Sequence, residues 1–440
     1  MLYLASFLQG QGFNVELIDC LAAKIKTRKY GTGNFRREEV GKPDILKHIP
    51  RKYARYGISE SDFIQKLDRV NKPDAILVTS LMTYWYPGPQ RVVELLRMKF
   101  PDVPVILGGI YATLLPEHAR KVVKPDVIVT GPGELAVLAI LAELLDISFS
   151  IETQDLKLDE FPYPAFDLIR DRLDYLVIMT ARGCPFDCSF CAQKLISMPF
   201  KQRDPDAVIE ELVYHYQRYK LRDVAFYDDA LFINRDRHIK VILEKLIRRN
   251  LPLRLHSPNG LFANQIDYEL AELMYRANFK TIRLSFETSN ENRRRDMSNK
   301  ISNQGMVDAV NSLIRAGFKR QQLEAYMIMG LPDQSIDEIL ASAVFINNLG
   351  LMIRLASFSP IAGTVDFERA VQNKQIPADI DPLLTNKTIF PLHSVVKSYN
   401  TFRKIRVFAN MLNDAVQKDF TPFAEEPFLS GLQRVINYLP

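Results

Sequence analysis

The chain is poor in the features that staple small secreted folds or span membranes. Only four of its 440 residues are cysteine, and three of those fall within eight positions, Cys184, Cys188 and Cys191. That clustering excludes a disulfide framework and suits a reducing cytoplasm, where thiolates stay available for metal. Long apolar runs are also scarce. The longest, LAVLAILAELLDISF from Leu135, is broken by Glu143 and Asp146, so it reads as a buried helix rather than a membrane span. No basic lead-in or cleavage-like site marks a signal peptide. Charge of neither sign dominates: 57 Lys and Arg against 52 Asp and Glu give +5, too little to argue for nucleic acid or membrane binding. With 47% hydrophobic and 25% charged residues, the composition is that of an ordinary globular protein, long enough for two or three domains.

Three thiols on one short loop, in TARGCPFDCSFCA, can hold three corners of an iron–sulfur cube and leave the fourth iron open. An iron with an open position can bind and activate a substrate, which a fully ligated electron carrier cannot easily do. A structural zinc site is the competing reading, but its ligands usually come as two CxxC-like pairs, and no second pair is present. An electron carrier would want a fourth cysteine. The one left, Cys20, lies in another domain and reads as a small buried hydrophobe.

Residues 1–145 alternate short apolar strands, FNVELID (13–19), DAILVTS (74–80), VPVILGG (103–109) and DVIVT (126–130), with helical stretches such as PQRVVELLRMKF (89–100). Such strands fit a parallel sheet covered on both faces, in a doubly wound, flavodoxin- or Rossmann-like α/β domain. The chain opens on the helical pattern LYLASFLQGQGF with no strand before it. The expected sheet therefore lacks its first strand, and truncation relative to a longer natural protein is the favoured explanation. Residues 21–70 form a basic insertion, expected as a solvated, partly helical excursion or, in a sharper reading, a lid or dock for an acidic substrate or partner. Residues 146–174 read as a linker.

From 175 to 365 the alternation is more regular. Strands are expected at 175–180, 223–228, 253–258, 281–286, 324–329 and 353–358, with a helix after each of the first five. Pro205 behind Asp204 marks one helix start, and Ser335 with Glu338 has capping-box spacing at another. Six such units suggest a partial (β/α)6 barrel, whose ligands sit at the C-terminal ends of the strands. The cysteine loop follows the first of them. Residues 366–440 form a helical tail, with its long helix in VVKSYNTFRKIRVFANMLNDAVQ, suited to covering the open side of the barrel or the substrate.

The spacing C-x3-C-x2-C, with Phe190 before its last cysteine, resembles the signature of the radical S-adenosylmethionine (SAM) superfamily. The resemblance continues in order through FYDDALF (226–232), LSFET (284–288), MIMGLPDQS (327–335) and SFSPIAGT (357–364), the last with Ala362 where the family has a second proline. It implies a [4Fe–4S] cluster on Cys184, Cys188 and Cys191. It also implies SAM contacts from Phe190, Tyr227, Asp228 and Asp229, from Ser285 and Glu287 near ribose and methionine, and from Ile328 and Gly330 beside adenine. Asp228 and Asp229 also fit a solvated strand end, and His256 fits a structural hydrogen bond as well as a ligand contact.

The N-terminal domain resembles the cobalamin-binding domain fused to many of these enzymes, in TSLMTYW (79–85), LGGIYATLLPE (107–117) and TGPGE (130–134). That likeness implies cobalamin contacts from Thr79, Ser80, Gly108, Gly109, Tyr111, Gly131, Gly133 and Glu134. Tyr84 and Trp85 read as loop packing and His118 as an exposed helix residue, while the D-x-H-x-x-G signature, whose His would ligate cobalt, is absent.

These resemblances imply a radical SAM enzyme that cleaves SAM to a 5′-deoxyadenosyl radical, using an external electron donor such as flavodoxin or ferredoxin. With cobalamin as a further cofactor, the expected outcome is methyl transfer to an unactivated carbon of a small-molecule or natural-product substrate. Rearrangement or cyclisation with a non-methylating cobalamin domain is the alternative within the superfamily. A non-catalytic iron–sulfur or cobalamin-binding partner protein is the alternative from another class. SAM-like motifs on four later strands speak against it, since a carrier would not need them.

Overall fold

The computed structural model describes all residues except 23, 28–29, 31–32, 149–156, 299, 390–397 and 419–440. The chain forms two units, Met1–Tyr175 with Ala192–Met198 and Asp381–Leu384, and Leu176–Cys191 with Pro199–Ile380 and Thr385–Pro440.

The first unit opens on α1 (Leu2–Gly10). Its basic segment, expected as a partly helical excursion, holds two antiparallel strand pairs as well as a helix among the described residues. β1 (Lys24–Thr27) pairs antiparallel with β2 (Gly33–Phe35), and β3 (Arg37–Glu39) with β4 (Ala54–Tyr56); only α2 (Glu60–Leu67) is an α-helix among the described residues. The basic charge is partly matched locally, Lys52 to Glu39 at 2.8 Å and Arg55 to Glu38 at 2.9 Å, so opposite charges meet around the β3–β4 hairpin.

The sheet of this unit runs β5 (Ile76–Thr79), β6 (Val105–Gly108), β7 (Val127–Ile128), all parallel. Its connections are α3 (Pro87–Lys99), α4 (Ile110–Leu114) and α5 (Pro116–Val122), and α6 (Gly133–Leu145) follows β7. One apolar cluster is built from Phe7 and Leu8 of α1 with Val137, Leu138 and Leu141 of α6; another joins Phe63 and Leu67 of α2 to Leu95 and Leu96 of α3. This double cover explains why Val105, Ile106 and Leu107 are buried and apolar without alternation.

Segment 13–19, expected as a strand, joins no ladder among the described residues. Phe13 and Val15 pack with the α1–α6 cluster and Ile18 with the α2–α3 cluster, so the side chains alternate as a strand's do. What it lacks is a hydrogen-bonding neighbour. β5 pairs with β6 alone among the described strands and leaves Leu77 40% exposed.

The second unit begins with β8 (Leu176–Ile178) and the short β9 (Ala181–Arg182). After α7 (Gln193–Ile196), which belongs to the first unit, β10 (Lys201–Gln202) returns to pair with β9. There follow α8 (Pro205–Tyr219), β11 (Asp223–Phe226), α9 (Ile239–Arg249), β12 (Arg254–His256), β13 (Leu261–Phe262) and α10 (Tyr268–Arg276). The chain continues through β14 (Phe279–Glu287), α11 (Glu291–Met297), α12 (Asn303–Arg315), β15 (Leu323–Met329), α13 (Ile336–Asn348), β16 (Met352–Ser357), α14 (Val365–Gln372) and α15 (Tyr399–Lys418).

All six expected strands are present, side by side in chain order β8–β11–β12–β14–β15–β16 and parallel, with β13 beside β14. Asp204 caps α8 as expected, its Oδ1 accepting from the Asp206 N–H at 2.7 Å with Pro205 in the first turn. Ser335 caps α13, but the box stays open. The Glu338 carboxylate instead accepts from Arg293 Nε at 2.7 Å and Thr288 Oγ1 at 2.8 Å, tying the loop after β14 to α13.

The described part of the tail closes the β16 edge. Asn413 of α15 accepts the Ile353 N–H at 2.6 Å and donates to the Ile353 carbonyl at 3.0 Å, doing with one side-chain amide what a neighbouring strand would do. Among the described residues no helix is long and apolar enough to cross a membrane.

Candidate functional site

The cysteine loop leaves the β9 end through Gly183 and is fastened between its cysteines. The Cys191 N–H donates to the Cys188 carbonyl at 3.0 Å. The Ser189 N–H donates to the Met297 carbonyl at 2.9 Å, its hydroxyl to Asp366 Oδ2 at 2.7 Å, and its carbonyl accepts the Asp366 N–H at 2.9 Å. Asp366 is buried on α14 and held in turn by Arg369 at 2.8 Å. Phe190 packs on Met297, Ile328 and Phe358. Cys188 is buried, Cys184 partly so, and Cys191 exposed. Burial pushes the Cys184 and Cys188 thiols up, and the Lys300 ammonium opposes this at both. Among the described residues no three His, Cys, Asp or Glu side chains converge as on a single metal ion. A cube takes its thiolates at separate corners and needs no such convergence.

Around this loop stand the ends of the other strands. Asp228 is buried just beyond β11, its Oδ1 accepting from the Thr180 N–H at 2.9 Å and the Thr180 hydroxyl at 2.7 Å, while its buried Oδ2 has no hydrogen-bond partner. Burial pushes this carboxyl up to about 6. Asp229 and Tyr227 are exposed, and Asn259 Nδ2 donates to the carbonyls of Tyr227 and Asp228 at 3.1 Å each. Gly260 allows the loop after β12 to close on β14, because a Cβ there would stand 2.0 Å from Ser285 Oγ. Glu287 ends β14 at φ 67°, a left-handed backbone that costs on the order of 1–3 kcal/mol for a non-glycine residue. Burial pushes its carboxyl up to about 7, against the opposing pull of Lys300 and Arg294.

Ser285, Glu287, Arg294, Ser298, Lys300 and Phe262 line one pocket. Arg294 is buried with its guanidinium 5.0 Å from the Phe286 ring and Nη2 donating to Asn303 at 2.7 Å, yet its Nε and Nη1 have no hydrogen-bond partner among the described residues. Gly330 and Ile328 are bridged by Gln334, whose Oε1 accepts the Gly330 N–H at 2.8 Å and whose Nε2 donates to the Ile328 carbonyl at 3.1 Å. His256 is structural: its two ring nitrogens meet Thr281 and Asp223, each at 3.0 Å. Three thiols on one turn and orphaned polar atoms on Asp228 and Arg294 suit an iron–sulfur cluster with a polar, charged cosubstrate. Lys300 and Arg294 belong to no motif; their only trace in the sequence is a basic residue in the otherwise neutral SNKIS and one of three consecutive arginines.

In the first unit the loops after β5, β6 and β7 form one rim. A Cβ on Gly109, at φ 90°, would lie 2.4 Å from Thr79 Oγ1 and 2.9 Å from the Ser80 carbonyl, so glycine is what lets the first two loops meet. Thr113 adds the third, its hydroxyl donating to the Gly109 carbonyl and accepting the Gly131 N–H, both at 2.9 Å. Thr79, Ser80, Gly108, Gly109 and Gly131 are thereby brought together, and Gly133 and Glu134 open α6 just beyond. A Cβ on Gly131 would meet nothing within 4 Å among the described residues.

Tyr111 is fully buried instead, its hydroxyl 2.7 Å from His118 Nδ1. His118, expected to be exposed, is half-buried because Tyr111 and the Tyr86 ring, 4.7 Å away, both claim it. Tyr86 in turn donates to Asp381 at 3.2 Å. Trp85, read as loop packing, is 44% exposed, with Tyr84 edge-on to it at 6.3 Å.

Residues 178–346 match the radical SAM superfamily and residues 51–141 match the B12 binding domain. The chain carries a B12-binding domain followed by a radical SAM domain, and the cofactors of these two domains are cobalamin and a [4Fe–4S] cluster with SAM. Among its relatives is an uncharacterised methyltransferase of Pyrococcus horikoshii, PH0819, 25% identical over 338 residues, which cover 70% of this chain and 72% of that one. Another is the anaerobic magnesium-protoporphyrin IX monomethyl ester cyclase of Rubrivivax gelatinosus, 27% identical over 227 residues, 44% of this chain and 40% of the cyclase. Among solved structures, the radical S-adenosylmethionine methyltransferase TsrM of Kitasatospora setae, with cobalamin and [4Fe–4S] cluster bound, aligns over 100% of this chain and 92% of that one. The TM-score is 0.67 at 14% identity, a likeness of fold.

Proposed function

We propose that this enzyme is a cobalamin-dependent methyltransferase that places a methyl group on an unactivated carbon of a small molecule, in a reducing cytoplasm, with electrons from a donor such as flavodoxin or ferredoxin. When bound, the cluster and SAM supply a radical able to take hydrogen from an unactivated C–H bond, and cobalamin supplies the methyl group. One observation carries the reading: Cys184, Cys188 and Cys191 share one turn pinned through Ser189, in the same unit as the pocket of Ser285, Glu287 and the buried Arg294.

In this reading the three thiols hold three corners of the cluster. Tyr227, Asp228 and Asp229 receive the amino group of SAM, and Asn259 fixes the carbonyls of the first two. Ser285 and Glu287 meet ribose and methionine. A Glu287 carboxyl raised to about 7 can donate as well as accept a hydrogen bond near neutral pH. Ile328 and Gly330 present backbone beside adenine, and Phe190 packs under them. Thr79, Ser80, Gly108, Gly109, Gly131, Gly133 and Glu134 hold the cobalamin, with Tyr111 supporting them from beneath through His118. Residues 1–145, 175–365 and 366–440 act as cobalamin domain, barrel and covering tail.

The test is product analysis of the anaerobically reconstituted protein given SAM, dithionite, hydroxocobalamin and candidate substrates. Methyl transfer yields S-adenosylhomocysteine alongside 5′-deoxyadenosine and a substrate heavier by one methyl group. Substrate converted without gain of a methyl, and with 5′-deoxyadenosine alone, would overturn it in favour of a rearrangement or cyclisation.

A further inference from the structure

Lys300 follows α11 outside every motif, and its ammonium ends against the cysteine loop. It stands 4.8 Å from the ring centroid of Phe186, which lies between Cys184 and Cys188, and 4.8 Å from that of Phe262 at the end of β13. Its charge acts on both Cys188 and Cys184, against the upward push of burial on their thiols. The two rings touch edge-on at 4.5 Å, and the ammonium rests against this pair, attracted through the ring quadrupoles. The contact joins the cysteine loop to β13 and holds a positive charge beside its sulfurs.

We propose that Lys300 is a positioning residue that tunes the [4Fe–4S] cluster: seated against the Phe186–Phe262 ring pair beside the cysteine loop, its charge raises the reduction potential of the cluster. The proposal rests on Cys184, Cys188 and Cys191 being the cluster ligands. Reduction adds one electron, delivered by an external one-electron donor and shared among iron and sulfur. A cation held beside the ligating sulfurs favours the more negative, reduced form. Glu287 and Arg294 line the same pocket. The carboxylate of Glu287 opposes reduction when ionised, and Lys300 offsets it at close range. Lysine suits the position as a compact charge on a flexible stem that can reach the side of the ring pair.

The experiment is a potentiometric EPR titration of the full-length, anaerobically reconstituted protein without SAM, with iron and sulfide counted in every sample and SAM binding measured separately. K300M is expected to hold the wild-type amount of iron at a more negative potential, and K300R to stay close to wild type. An unchanged potential in K300M, or a fall in K300R as large as that in K300M, would overturn the proposal. So would a loss of SAM affinity in K300M at unchanged potential, which would assign the lysine to the cosubstrate. Should K300M hold no iron, F262L removes one ring of the pair that seats the ammonium, from outside the cysteine loop; a lowered potential supports the proposal and an unchanged one overturns it. A wild-type protein with no reducible cluster would overturn the ligand assignment itself.

Discussion

Asp228 and Glu287 are carboxyls held where charge is disfavoured, and each has a measurable consequence. Their folded values, about 6 and about 7, lie above the unfolded 3.8 and 4.5. Each therefore contributes stability that is fully present below about pH 4 and lost as pH rises through the folded value, since the native state holds the proton longer. Thermal unfolding of the cofactor-free protein should show a midpoint falling from about pH 5 to about pH 8, with E287Q flattening the upper part of that slope. A midpoint that rises over this range, or a slope untouched by E287Q, would refute the assignment. The cysteine cluster and the carboxyls at strand ends were readable from the chain because their chemistry demands given residue types at given spacings. Lys300 and Arg294 were not. A single basic residue has no periodicity, and Phe186, Phe262 and Lys300 become neighbours only once the barrel has folded.

At the scale of elements, the six barrel strands could be read because each is an apolar run and each of the first five is followed by a helix-period stretch that leads to the next parallel strand. Segment 13–19 has the right pattern but no ladder partner among the described residues, which shows that apolar alternation sets side-chain packing while strand pairing needs a neighbour. The hairpins within 21–70 escaped notice because three-residue strands rich in charge, such as Arg37–Glu39, carry no alternation to read. Two ties between elements can be tested singly. N413A removes the amide that completes β16 and leaves Ile353 backbone groups unpaired, which should cost roughly 1–3 kcal/mol. The thermal midpoint should fall while iron content holds, as thermal unfolding and iron analysis together would report. T113V cuts the link between the Gly109 and Gly131 loops, worth about 1 kcal/mol per hydrogen bond, so cobalamin affinity by equilibrium dialysis should fall on the order of tenfold. Unchanged affinity would mean that the rim does not hold the corrin.

At the scale of the whole molecule, the chain joins a B12-binding domain to a radical SAM domain, and the two cofactor chemistries leave separate traces. The barrel could be recognised from five motifs in order, because SAM and the cluster are the same molecules in every member of the superfamily. The substrate left no such trace: residues shaped to one small molecule answer to no shared pattern. The most direct test of the central claim, SAM cleavage at a three-cysteine cluster in a cobalamin-binding chain, is anaerobic incubation of the reconstituted protein with SAM, dithionite and hydroxocobalamin. Iron, bound cobalamin and nucleosides are quantified together, in wild type and in Cys188→Ala. The prediction is about four irons per chain, bound cobalamin and 5′-deoxyadenosine in the wild type, with iron and 5′-deoxyadenosine both lost in the variant. A cluster that never cleaves SAM, or 5′-deoxyadenosine undiminished in Cys188→Ala, would contradict it.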